Sequence, residues 1–389
     1  MLSRRLPPHA ELNALTRALT ERRAAGHPIV DLTESNPTRA GFAYPPHLLD
    51  ELASAAALRY EPAALGMKAA RDAVACDHAR RGVTLDPDRV VLTASTSEAY
   101  TWLFKLLCEP GDAVMVPRPS YPLFEHLTRL EGVRAVAFNL EYHGRWEIDF
   151  ATLEDAPADA RAIIVVSPNN PTGSYVSARE LDRLVALCAA RGWALIADEV
   201  FADYRLDADA PLTDIAARVD VPAFTLGGLS KTAGLPQLKL GWIVVGGPSG
   251  ARAAALAGLE LIADSFLSVS TPVQVAAPRL LAQGAAIRAQ IQDRTGANLT
   301  ALRHLAQQYP ACDVLNVEGG WSAVVRVPAT RAEEQLVLEL LGREGILVHP
   351  GYFFDFPREA FVVVSLLPRV DLFHDATSRL LRFCTHDGN

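Results

Sequence analysis

The chain has 389 residues, half of them hydrophobic and 21% charged, which excludes a disordered chain and, at roughly 100–200 residues per domain, favours two domains over one. Lys+Arg 37 against Asp+Glu 45 gives a net charge of -8, and with no Lys/Arg-rich block this argues against a nucleic-acid partner. No run of ~18 uncharged apolar residues occurs, so no segment is expected to span a membrane. Arg4 and Arg5 have no apolar core behind them, so no secretory signal is expected. Cys76, Cys108, Cys188, Cys312 and Cys384 are far apart, with no C-x-x-C pair. They read as reduced thiols of a cytoplasmic protein, and no metal site is expected.

In chain order, residues 89–92 read as a strand, followed by Thr93-Ala-Ser-Thr-Ser97 and a helix over about 98–107. Residues 113–116 form a short strand. The continuous apolar run 162–166 is that of a strand buried on both faces. Ser177-Ala-Arg-Glu180 has the form of a capping box opening a helix toward Arg191. Further buried strands are expected at 193–197, 223–226 and 240–245. This alternation predicts an α/β fold, a mostly parallel sheet with helices on both faces. The pattern then turns helical over 251–308, with Pro272 and Pro278 as interruptions. Short strands at 322–327, 346–348 and 361–366, with a helix over 331–341 between them, predict a smaller α+β domain.

Ligands of open parallel sheets bind beyond the carboxyl ends of the strands. Four such ends carry polar residues: Thr93-Ala-Ser-Thr-Ser97, Ser167-Pro-Asn-Asn-Pro-Thr-Gly173, Asp198-Glu199 and Gly227-Gly-Leu-Ser-Lys231. Together they offer an anion cradle, an amide, a carboxylate and an amine, a set that suits a phosphorylated heteroaromatic aldehyde. Each has a plainer alternative. Ser95, Thr96 and Ser97 precede a helix, where they either cap it or leave N–H groups for a phosphate. Asn170 sits in a Pro/Gly-bounded turn that its backbone tolerance alone would explain. Asp198 either caps a strand end or holds a positive charge. Lys231 is either solvated, as most lysines are, or reactive.

The order and spacing of Asn169-Asn-Pro-Thr-Gly173, Asp198-Glu199 and Ser230-Lys-Thr-Ala-Gly-Leu-Pro236 decide between these. From about Asp31 onward the chain resembles the class I/II aminotransferase family of fold type I pyridoxal-phosphate enzymes. The resemblance implies a large cofactor-binding domain over 45–275 and a small domain from 1–44 and 276–389. It implies pyridoxal 5'-phosphate as cofactor, with Lys231 as the lysine that binds it covalently and shuttles the substrate proton. Asp198 would pair with the pyridine nitrogen, Asn170 would donate to the ring 3′ oxygen and Tyr121 would stack on the ring. Thr96 and Ser97, beside Ser95, would cradle the phosphate. Tyr60, in Tyr60-Glu-Pro-Ala-Ala-Leu-Gly66, would reach the phosphate of a neighbouring subunit, which implies a homodimer with shared active sites. Asn36 lies in a substrate-lining segment by the same resemblance. Trp321, Tyr352, Phe353 and Phe354 form either an aromatic pocket wall or ordinary core.

Four positions depart from the family pattern. Lys239 stands where an arginine usually binds phosphate, and supplies charge without the bidentate fork. Gly228 replaces a phosphate-binding serine, and Phe201 replaces a tyrosine that donates to the ring oxygen. Val363 occupies the position of the arginine that grips the substrate carboxylate. Either another basic residue takes its place or the substrate has no free carboxylate at that point; Arg369 and Arg326 are the nearest alternatives in sequence, each otherwise a solvated surface arginine, and Arg369 is the favoured one. The implied reaction is amino-group transfer between an amino acid and a 2-oxo acid by a ping-pong route. A lyase or other non-transaminating reaction on the same fold stays open. A cofactor-binding sensor ranks last, since about 30 residues before Asp31 are too few for a helix-turn-helix module.

Overall fold

The apolar runs pair edge to edge in one eight-stranded sheet of the computed structural model, which describes residues 3–6, 13–211, 213, 215 and 220–386. The spatial order is Val90–Thr93, Gly241–Val245, Ala223–Gly228, Ala194–Asp198, Ala160–Val166, Ala113–Arg118, Arg134–Tyr142 and Trp146–Ile148. The middle strands, from Ala223–Gly228 to Arg134–Tyr142, run parallel. Gly241–Val245 is antiparallel to both its neighbours. The alternation of side chains along each strand fills two layers. Ile164 and Ile196 pack with Trp102 and Leu103 of the Thr96–Leu107 helix. Their neighbours Ile163, Val165 and Leu195 pack with Leu181 and Leu184 of the Ala178–Arg191 helix on the opposite face. Ser177 and Glu180 form the capping box that starts that helix.

Two regions differ from expectation. Arg134–Tyr142 and Trp146–Ile148 form the far edge of the sheet, where exposed and partly exposed side chains interrupt the buried ones. The stretch beyond 251 forms two helices, Ser249–Asp264 and Thr271–Ala306, the second of 36 residues. Pro272 falls in its first turn, where a missing N–H breaks no bond. Pro278 lies inside the helix without ending it. Buried Ala276, Ala277, Leu280 and Leu281 on either side hold that stretch in the core, and tertiary packing overrides the loss of one backbone bond. The expected 275/276 boundary therefore falls within one helix. Its first half packs on the Lys68–Ala79 helix, and farther along Asn298 Nδ2 donates to the carbonyls of Leu366 and Pro368.

The last third builds a four-stranded antiparallel sheet in the order Asp313–Val314, Ser322–Arg326, Phe361–Ser365, His349–Pro350. Val30–Asp31 pairs in parallel with Ile346–Leu347, tying the N-terminal segment to this unit. Among the described residues, no helix is long and apolar enough to cross a membrane.

Candidate active site

The carboxyl ends of the central strands open into a cavity of about 370 Å³, closed on its far side by one face of the small sheet. Asp198, the last residue of its strand, is buried there. Its Oδ2 accepts from the Tyr100 hydroxyl at 2.9 Å and its Oδ1 from the Val200 N–H at 3.1 Å. Burial raises the Asp198 pKa, and the Val200 N–H, the Tyr100 hydroxyl and the Lys231 charge oppose that rise. Burial first, and the Asp198 charge next, push the Tyr100 hydroxyl well above its ordinary value, so it remains a donor. Tyr100 was not anticipated from the sequence. The signal available was its place one turn after Thr96, on the apolar side of a helix that starts at the site.

Lys231 sits in the short helix Leu229–Thr232 that follows the Ala223–Gly228 strand. Its Nζ lies 4.9 Å from the ring centre of Trp321 and 5.5 Å from that of Phe201. Burial among these rings lowers its pKa from 10.5 to about 8, against the pull of Asp198. Tyr204, another aromatic near the site, does not replace the missing hydroxyl at Phe201. Its hydroxyl is buried and donates to the Lys231 carbonyl oxygen at 2.5 Å, so it supports the lysine's backbone.

The two adjacent asparagines divide the work. Asn169 is buried: it accepts from Ser120 Oγ at 2.8 Å and donates to the Pro119 carbonyl at 3.0 Å and to Thr172 Oγ1 at 2.9 Å. It thereby fixes the loop that carries Tyr121 against the loop that carries Asn170. Asn170 and Tyr121 both line the cavity.

Ser95 caps the Thr96–Leu107 helix, its Oγ accepting from the Glu98 N–H at 3.2 Å. The N–H groups of Thr96 and Ser97, one and two residues into the helix, are left for a ligand. Both residues, with Lys239 and Ser230, line that end of the cavity. A Cβ on Gly241 would stand 3.0 Å from the Ser95 carbonyl carbon and 3.2 Å from the Thr96 nitrogen. Glycine is required there for the strand to approach the cradle. Lys239 itself holds a left-handed backbone, φ 51°.

Other expected residues do not line this cavity. Asn36 closes a turn of its own, accepting from the Thr38 N–H and hydroxyl, and Thr33 and Ser35 line the cavity instead. Tyr352 lies outside the lining, where Trp321, His349 and Phe354 stand. Arg369 is 64% exposed and pairs with Asp371 at 2.9 Å; Arg326 pairs with Asp313 on the surface. No arginine lines the cavity among the described residues. Tyr60 is 69% exposed and does not line this chain's cavity.

The family model for aminotransferase class I and II matches residues 28–371. The chain belongs to this family. Glutamate-pyruvate aminotransferase AlaA of Haemophilus influenzae is 27% identical over 377 residues, covering 92% of this chain and 91% of the relative. Alanine aminotransferase of Mycobacterium bovis is 28% identical over 365 residues, covering 89% and 83%. The fold is shared with alanine aminotransferase from Pyrococcus furiosus at a TM-score of 0.89, with 22% identity and 99% of each chain covered. The family is one of fold type I pyridoxal-phosphate enzymes, and the donor set fits that group. A buried carboxylate lies near a lysine of lowered pKa, Asn170 lines the same cavity, and the N–H cradle lies against a strand with no room for a Cβ.

Proposed function

We propose that the protein is a pyridoxal-phosphate-dependent aminotransferase that exchanges an amino group between an amino acid and a 2-oxo acid in a ping-pong cycle. The observation that carries this reading is the pairing, in one cavity, of a lysine lowered to about 8 with the buried Asp198. When bound, the cofactor supplies an electron-withdrawing ring that takes up the electron pair of a broken Cα–H bond. Asp198, held by Tyr100 and Val200, keeps a proton on the pyridine nitrogen. Asn170 would donate to the ring oxygen and Tyr121 would cover the ring face. Thr96, Ser97 and Lys239 hold the phosphate. Lys231 Nζ would hold the cofactor at its carbonyl carbon and is the group placed to take and return the substrate's Cα proton, which a pKa near the operating pH suits.

The assembly in this reading is a homodimer in which Tyr60 of one subunit completes the phosphate site of the other. The exposure of Tyr60 at 69% and of nearby Leu58 at 89% supports a covering partner. The five free cysteines fit a reducing, cytoplasmic compartment.

Borohydride reduction of the cofactor-loaded protein followed by peptide mapping tests the assignment. The label is expected on Lys231, and a label on Lys239 or Lys105 overturns it. A panel of amino acids, followed by cofactor absorbance, tests the reaction. Conversion to the amino form of the cofactor supports transfer, whereas ammonia or pyruvate release without an acceptor identifies a lyase.

A further inference from the structure

A carboxylate leaving water needs donors, and an unpaired one is costly to bury. The cavity offers no arginine for this, and its two lysines stand at the cofactor's reactive and phosphate ends. The wall where the substrate's carboxyl group would lie is one face of the small antiparallel sheet. There Val363 pairs in register with Val324 on one side and His349 on the other, and Ser365 pairs with Ser322. Directly opposed residues of antiparallel strands share a face, with Cβ atoms about 4.5–5.5 Å apart. An imidazole therefore stands beside the site of the absent arginine.

Most hydroxyls on this side are already engaged. Ser365 Oγ donates to the Glu34 carbonyl at 2.6 Å and accepts from the Leu367 N–H at 3.2 Å. Thr33 Oγ1 donates to Asp31 at 2.6 Å, and Ser35 lies at the exposed rim. His349 differs. Its Nδ1 is buried with no hydrogen-bond partner, so Nε2 is the ring nitrogen that can reach a ligand in the cavity that the residue lines. Phe354, nearly perpendicular at 5.6 Å, and Phe353 at 5.8 Å fix the ring's orientation. Burial lowers its pKa and the Asp31 charge opposes this, which favours a neutral imidazole in the orientation the two rings set.

We propose that His349, with Ser322, holds the substrate's carboxyl group by hydrogen bonds, in place of an arginine fork at position 363. The inference rests on the aminotransferase reading and narrows it. A neutral donor pair distinguishes a carboxylate from a carboxamide less sharply than a fixed guanidinium does. The substrate class is thus amino acids together with their uncharged carboxyl derivatives. Side chains on that wall face Val363, Phe354 and Trp321, which favours apolar substituents.

L-alanine, L-alaninamide and isopropylamine present the same amino carbon with an anionic, a neutral or no acceptor group, and serve as probes. In the cofactor-bound wild type, kcat/KM for alanine and alaninamide should lie within about tenfold of each other, and both should exceed isopropylamine. His349→Phe should raise KM for the first two at least tenfold and leave isopropylamine within twofold. Adding Val363→Arg to His349→Phe should restore alanine and not alaninamide. Equal effects on all three amines, or none, overturn the proposal. A second measurement does not depend on turnover. In ¹⁵N-histidine-labelled protein, the ring resonance that His349→Asn removes should move on adding 2-methylalanine, which has a carboxylate but no Cα–H. A stationary resonance refutes His349 as the anchor. If wild type transfers an amino group from no amino acid while that resonance still moves, the reaction assignment fails and the anchor stands.

Discussion

Replacing Tyr100 by phenylalanine removes one oxygen from the centre of the site and little else. The ring is buried among Phe104 and Phe124, at centroid distances of 6.1 and 5.5 Å, and phenylalanine keeps that packing. What is lost is the 2.9 Å bond to Asp198 Oδ2, which leaves the Val200 N–H as the protein's donor to the carboxylate. A hydrogen bond to a charged group contributes roughly 1.5–3 kcal/mol. At about 1.4 kcal/mol per tenfold, that is roughly a ten- to 150-fold fall in kcat/KM. The direction follows from burial, which already raises the Asp198 pKa. Without the hydroxyl the carboxyl group moves further toward its neutral form, which cannot hold a pyridinium charge. Steady-state kinetics with the best amino donor, beside thermal melting of the cofactor-bound protein, would check this. A kcat/KM within threefold of wild type in a folded variant would refute the role given to Tyr100.

Three further outcomes are expected. In cofactor-free protein the folded Lys231 has a pKa lowered from 10.5 to about 8, so the unfolded chain binds the extra proton between those values and stability rises with pH across that window. Lys231→Met should therefore stabilise the cofactor-free fold at pH 7 by up to roughly 3 kcal/mol, and the gain should shrink above pH 8 and vanish above about 10.5 in denaturant titrations. Gly241→Ala places a Cβ 3.0 Å from the Ser95 carbonyl carbon, and should weaken cofactor affinity at least tenfold in reconstitution titrations; unchanged affinity would show that the cradle can give way. Arg369→Ala removes an exposed side chain paired with Asp371, and KM for every amino donor should stay within twofold of wild type.

The parallel core was legible because its strands are buried on both faces. Residues 162–166 and 193–197 are unbroken apolar runs, and the structure buries each of their side chains. Arg134–Tyr142 escaped although it carries the short apolar run 135–138: Arg134, Ala137 and Glu141 are exposed and only Phe138 and Leu140 are buried, so it lacks the two-faced burial of the central strands. Pro278 misled because the local rule for proline ignores the burial of Ala276, Ala277, Leu280 and Leu281, which is set by residues about 200 positions away in the chain.

The site divides along the same line. Lys231, Asp198 and Asn170 stand out because their chemistry and their place at strand ends coincide within short motifs. Tyr100 meets Asp198 across 98 residues, with only its place one turn into the Thr96–Leu107 helix as a local signal, and His349 meets Val363 only through the register of two strands. Arg369 was favoured by proximity in sequence. The chain past Ser365 does turn inward at first: the Leu366 N–H donates to the Trp321 carbonyl and Asn298 holds the carbonyls of Leu366 and Pro368. Those bonds consume the backbone beside the cavity and direct the next residue outward, to the start of the Val370–His386 helix and its partner Asp371. In this protein Arg369 is thus directed away from the cavity, and the residue that the register sets opposite Val363 is His349, which lines it.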